Sequence, residues 1–136
     1  MSNLEVVASN IDVVQEDVFE QLERCRGWIE SALAYSGGTH DFFDIVRGVM
    51  SGYMQLWTGE NGCAVTEITV YPKRKILHVF LAGGNMQQIL DFEASAIEFA
   101  KLNGCNALSL AGRKGWAKVH KDRGWKEAHV TMIKEF

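Results

Sequence analysis

A few residues in the second half of this chain could move a proton or hold an anion, and their spacing decides what each could do. His120 follows Trp116 by four residues, so on a helix the two rings share a face. Histidine as a residue type titrates near neutrality and suits proton transfer; a partly exposed histidine with no role has the same spacing. Glu67 and His78 each interrupt an otherwise apolar strand pattern. Either could be a general base facing a cleft, and either could simply face water, as alternate residues of a strand do. Ala82-Gly83-Gly84-Asn85 precedes a helical pattern and would offer backbone N–H groups beside a helix's positive end, an anion site in kind. Paired glycines before a helix also make plain turns. Arg113, after Gly112 at the expected end of a strand, has the two-pronged geometry that grips phosphates or acidic groups, and Lys114 and Lys118 extend a basic surface around it. The same three would also suit a solvated helix start.

Other chemistries find little material. His40 and His129 have no partner at ligand spacing, and there is no HxH, HxxxH or CxxC, so no metal site is expected. Cys25, Cys63 and Cys105 are odd in number and far apart, which reads as reduced thiols in a reducing compartment, with Cys105 as packing. No run approaches the roughly 18 apolar residues of a membrane span, and Met1–Asn10 lacks the blocks of a signal peptide. Cytoplasmic synthesis is the default. A net charge of −3 gives no sign of a nucleic-acid or membrane partner.

The elements that must position these groups follow from periodicity. With 136 residues, 47% apolar and 23% charged, the chain fits one globular domain spanning 1–136. Leu4–Ala8 could be a first strand. Val18, Leu22, Cys25, Ile29 and Leu33 form one face of a helix over Gln15–Tyr35, stopped by Gly37-Gly38. Thr39 is placed to cap a second helix, with Asp41 in its first turn and Gly52 closing it. Tyr53–Thr58, Cys63–Tyr71 and Ile76–Ala82 read as three strands of an antiparallel meander, with turns at 59–62 and 72–75. A helix over Met86–Asn103 follows, with Asn85 and Gln88 at capping-box spacing and Gly104 as its stop. Then come a short buried strand at Ala107–Ala111, a helix over Lys114–Asp122 stopped by Gly124, and a final strand at Trp125–Ile133. Trp125 reads as core, while Trp28 and Trp57 are left open between core and interface.

This mixed α/β order, a meander followed by β-α-β-α-β, resembles the conserved half of the GNAT acetyltransferases. The most specific stretch is Ala117–Glu127, which looks like the family's A-x-x-φ-Y-x-x-x-G-F-x-E segment, with φ apolar. Val119, Gly124, Trp125 and Glu127 fit it, and His120 replaces the tyrosine. The resemblance implies acyl transfer from acetyl-CoA to an amine, with His120 protonating the departing thiolate and Glu67 or His78 as base. Ala82–Asn85, Arg113 and Lys114 would hold the cofactor's phosphates. The family's Q/R-x-x-G-x-G/A loop is missing, and Leu81–Gln88 stands in its place. Leu81–Gly84, Gly104-Cys105 and Gly112–Trp116 also look like small GNAT-like proteins of tailed phages and prophages. That likeness implies a non-catalytic alternative, acting by binding another protein in the host cytoplasm or virion. The acceptor amine and the oligomeric state are not readable.

Overall fold

The computed structural model describes residues 5–6 and 15–136. In chain order the elements are β1 (Glu5–Val6), α1 (Gln15–Leu33), α2 (Phe42–Met50), β2 (Met54–Gly59), β3 (Gly62–Val70), β4 (Lys75–Gly84), α3 (Met86–Asp91), α4 (Glu93–Leu102), β5 (Ala107–Leu110) and α5 (Lys114–His120). A single 3-10 turn, Lys121–Arg123, closes the series. Among the described residues the sheet has 5 strands in the order β1-β2-β3-β4-β5, antiparallel up to β4 and parallel between β4 and β5. Only Glu5–Val6 of the expected first strand is described, paired with β2 at Thr58 and Trp57; the rest of Leu4–Ala8 lies outside the described residues.

Two apolar layers sandwich the sheet. On one face Val18, Leu22, Cys25 and Ile29 of α1 and Phe42, Ile45 and Val49 of α2 pack on Leu56, Val65 and Leu81. On the other, Phe92, Ala96 and Ala100 pack on Trp57, Ala64 and Leu77. β2, β3 and β4 each contribute to both layers because successive side chains point to opposite faces. Burying this apolar surface, at about 25 cal/mol per Å², is the main force holding the helices to the sheet.

Four details differ from the sequence reading. Asp41, not Thr39, caps α2: its carboxylate accepts from the N–H of Asp44, and Asp44 returns the bond to the N–H of Asp41, both at 2.9 Å. That reciprocal pair satisfies two otherwise orphaned donors, while Thr39 binds its neighbour His40. The long helix is broken into α3 and α4 at Phe92, whose N–H bonds to the carbonyl of Ile89 three residues back and whose ring is buried. Gly83 and Gly84 are not a free loop; they extend β4 and pair with Cys63 and Gly62. Finally, Trp125–Ile133 forms no strand. From Lys126 to Phe136 every residue is exposed and no neighbouring strand pairs with the segment.

Candidate active site

β4 and β5 pair over only four positions, from Ile76–Ala107 to Val79–Leu110. Beyond that point β4 runs on to Gly84, whereas β5 ends and the chain turns through Ala111-Gly112 into α5. The edge of β4 from Phe80 to Ala82 therefore has no strand partner on the β5 side. A β-bulge sits at the same place: the register with β3 jumps from Val65–Leu81 to Thr66–Val79, leaving Phe80 as an extra residue. A bulge shifts side-chain phase and increases local twist. Accordingly Leu77 and Ala82, odd and even in number, both join the α4-side layer, and the adjacent Phe80 and Leu81 both pack toward α1 and α2.

A cavity of about 470 Å³ fills the opening, within the size range of small-molecule pockets. On the α1/α2 side it is bounded by Tyr35, Ser36, His78 and Phe80, and on the α4 side by Ile89, Glu93, Trp116, His120 and Trp125. Most of the wall is apolar. Its polar floor is closed on itself: the Trp57 indole N–H donates to the Thr66 hydroxyl at 2.9 Å, and that hydroxyl donates to Gln55 Oε1 at 2.9 Å. Buried polar groups in such a chain are satisfied without solvent.

The two histidines sit on opposite sides of the sheet. Leu77 belongs to the α4 layer, so alternation puts His78 on the α1/α2 face, in register with Glu67 on β3 and Ser109 on β5. Its Nδ1 lies 2.8 Å from Ser109 Oγ. Burial holds this imidazole below the ordinary 6.5 and outweighs the upward pull of the Glu67 carboxylate, so it is neutral at neutral pH with a lone pair for a proton. Glu67 is half-buried behind it and does not line the cavity. His120, 6% exposed, stacks on Trp116 and meets the Trp125 ring edge-on at 5.1 Å. Its Nδ1 is 2.8 Å from the Trp116 carbonyl. A carbonyl only accepts, so Nδ1 carries a hydrogen and Nε2 is the atom left for chemistry.

The groups expected to bind phosphate are scattered. Ala82 and Arg113 line the cavity; Gly83, Gly84, Asn85 and Lys114 do not. Arg113 lays its guanidinium over the Tyr35 ring, 4.0 Å from the centroid, bridging the end of α1 to the start of α5. Asn85 caps α3 with its own side chain, accepting from the N–H of Gln88 at 3.0 Å. α3 is one short turn-and-a-half, and the glycines before it are occupied by packing: a Cβ on Gly83 would stand 2.8 Å from the Trp28 carbonyl, and one on Gly84 2.4 Å from that of Asn61. Trp125, read as core, instead lines the cavity and donates from Nε1 to Glu93 at 2.7 Å. Trp57, Thr66 and Glu93 were not singled out as site residues. Their one visible signal is polar or amphipathic character inside otherwise apolar segments.

Among solved structures, aminoglycoside N-acetyltransferase AAC(6')-Iy in complex with CoA matches at a TM-score of 0.69 and 13% identity, over 100% of this chain and 96% of that one. The fold is that of the GNAT acetyltransferases. A predicted acetyltransferase with acetyl-CoA from Clostridium acetobutylicum matches this GNAT fold at a TM-score of 0.66 and 11% identity, over 99% and 96% of the two chains. A transcriptional regulator from Bacillus halodurans C-125 matches at 0.65 and 14%, over the full length of both. No protein-family model matches the chain, and no curated protein matches it by sequence. The shared architecture is a GNAT scaffold at low sequence identity, and many different sites can be built on one scaffold.

Proposed function

We propose that the chain transfers an acyl group from an acyl-CoA thioester to an amine. The observation that carries this reading is the end of β4–β5 pairing at Val79 and Leu110, beside a cavity lined by residues from both layers. A thioester arm entering from the α4 side would lie against apolar walls and against the unpaired backbone of Phe80–Ala82, whose N–H and C=O groups suit an amide-bearing chain. The amine would enter from the α1/α2 side. Neutral His78 takes the proton from the ammonium, and the free amine attacks the thioester carbonyl. The C–S bond breaks, the Nε2–H of His120 delivers a proton to the thiolate, and the second proton on the attacking nitrogen leaves to solvent as the amide forms. The products are an amide and a free thiol, with no covalent enzyme intermediate. Cys25, Cys63 and Cys105 are unpaired thiols, which suits the cytoplasmic location expected from the sequence.

A second reading rests on a specific observation: the glycines where a phosphate loop is expected are committed to packing against Trp28 and Asn61. On that reading the chain is a non-catalytic GNAT-like protein, of the kind phages carry, that binds another protein. Calorimetry and thermal shift with acetyl-CoA separate the two. Ligand at about 100 times its Kd stabilises the folded state by about 2.7 kcal/mol, so an enzyme shows a clear rise in melting temperature. No rise at millimolar acetyl-CoA removes the acyltransferase reading. Where binding is seen, His120→Phe is expected to retain it while turnover drops about 10²–10⁴-fold.

A further inference from the structure

One arginine of this chain is left without an oxygen to bind. Arg24, Arg26, Arg47, Arg74 and Arg123 each donate to a carbonyl, carboxylate or amide oxygen of the fold. Arg113 has no such acceptor among the described residues; it rests on the Tyr35 ring instead. That contact is with the π-system and engages no acceptor oxygen, so the planar fork remains available to a carboxylate. Tyr35 and Ser36 place Arg113 on the α1/α2 side of the cavity, the side that His78 faces. Gly83, Gly84 and Asn85, where a cofactor's phosphates were expected, do not line that cavity.

We propose that the acceptor is a small amine that also carries a carboxylate, gripped by Arg113 while His78 takes the proton from its ammonium. The inference rests on the acyltransferase reading and specifies its acceptor. The charges around the cavity favour this class over a polycation. Glu93 is the one acid among the lining residues, and it stands on the α4 side. Its oxygens are already engaged, one by Trp125 Nε1 at 2.7 Å and the other by Arg123 at 3.6 Å. Glu67 shares the face of His78 but does not line the cavity. An acceptor with a second ammonium therefore finds no carboxylate there, and meets the charge of Arg113 with Lys114 and Lys118 beyond it on α5. An anionic group is attracted by the same field, and an arginine fork fixes its orientation as well as its position.

The test follows thiol release from acetyl-CoA by the full chain, with L-glutamate, tyramine and spermidine as anionic, neutral and polycationic acceptors. Glutamate should show the highest kcat/KM. Arg113→Ala should lower that value about 10- to 100-fold, chiefly through KM, and lower the tyramine value far less. Acetyl-CoA should bind this variant as it binds wild type. Arg113→Glu should turn the preference toward spermidine. Arg113 is exposed, so both variants are expected to keep the wild-type circular dichroism. A wild type that prefers spermidine, or an Arg113→Ala variant that loses all three acceptors equally, overturns the inference. So does a loss confined to acetyl-CoA affinity, which would give Arg113 to the cofactor's phosphates and leave the acyltransferase reading standing. With acetyl-CoA bound, no thiol release and no glutamate-induced change in the NMR signals of His78 would likewise reject the acceptor class alone. Failure of acetyl-CoA itself to bind would remove the acyltransferase reading, and the acceptor with it.

Discussion

Replacing Gly84 by alanine separates a packing glycine from a phosphate-binding one. Gly84 has φ 104°, a conformation that costs an L-residue about 1–2 kcal/mol. Its new Cβ would lie 2.4 Å from the Asn61 carbonyl and 2.5 Å from Gly62 Cα. Both are backbone atoms inside the β2–β3 hairpin, which pairs with β4 at this point, so neither can swing aside as a side chain would. Overpacking of this kind costs about 1–3 kcal/mol, and the sum is roughly 2–5 kcal/mol out of a total stability of about 5–15. Gly38→Ala is the control: φ is 75°, but nothing stands within 4 Å of its Cβ, so only the backbone cost of about 1–2 kcal/mol applies. Urea unfolding of the ligand-free proteins should rank wild type above Gly38→Ala above Gly84→Ala. At about 4 °C per kcal/mol for a domain of this size, the Gly84 variant melts about 8–20 °C early. If Gly84→Ala is no less stable than Gly38→Ala and instead loses its response to acetyl-CoA, the glycine serves the ligand and the packing argument is wrong.

Two further outcomes follow from the cavity. Thr66→Val keeps the shape of a fully buried side chain but leaves the Trp57 N–H and Gln55 Oε1 without their partner, at about 1–3 kcal/mol each; urea midpoints should drop accordingly, and a loss under about 1 kcal/mol would mean that water enters the floor. His78 is held below 6.5, so the unfolded chain binds its proton more readily than the folded one. Its contribution to stability is complete above pH 6.5, declines as pH falls toward the lower folded value, and is constant below that. His78→Gln should flatten this part of the pH–stability curve, and an unchanged curve would place His78 in contact with solvent.

Much of the scaffold was legible because it is written in local periodicity. The spacing of Val18, Leu22, Cys25, Ile29 and Leu33 gave α1 its buried face, and all five are buried. The β-branched run at Val65–Val70 and the turns around it gave the meander. What failed depends on partners distant in sequence. Whether Gly83-Gly84 is loop or strand is decided by Cys63 and Gly62 across the ladder; whether Trp125 is core or cavity wall is decided by Glu93. The break at Phe92 is a tertiary choice, since burying that ring against Trp57 and Leu77 outweighs continuing one straight helix. His78, His120 and Arg113 were picked out by residue type and fall on one cavity, but Glu67 stands behind His78 rather than in it.

The wedge itself has a cause that no single residue type announces. A parallel pair stays zipped only while both strands keep the same twist and phase. β4 is tied to β3 along its whole length, and the extra residue at Phe80 twists it away just where the pairing with β5 ends. β5 cannot follow, because it is only four residues long and Gly112 turns its chain under Trp116; a Cβ on that glycine would meet the indole at 2.8 Å. The bulge and the short partner therefore open the sheet together. Removing Phe80 by deletion should restore a regular β3–β4 register, keep Ala82 opposite Ala64 on the α4 face and close the cavity. Crystallography of that variant would show β5 paired beyond Leu110; a cavity of unchanged volume would refute the bulge as the cause.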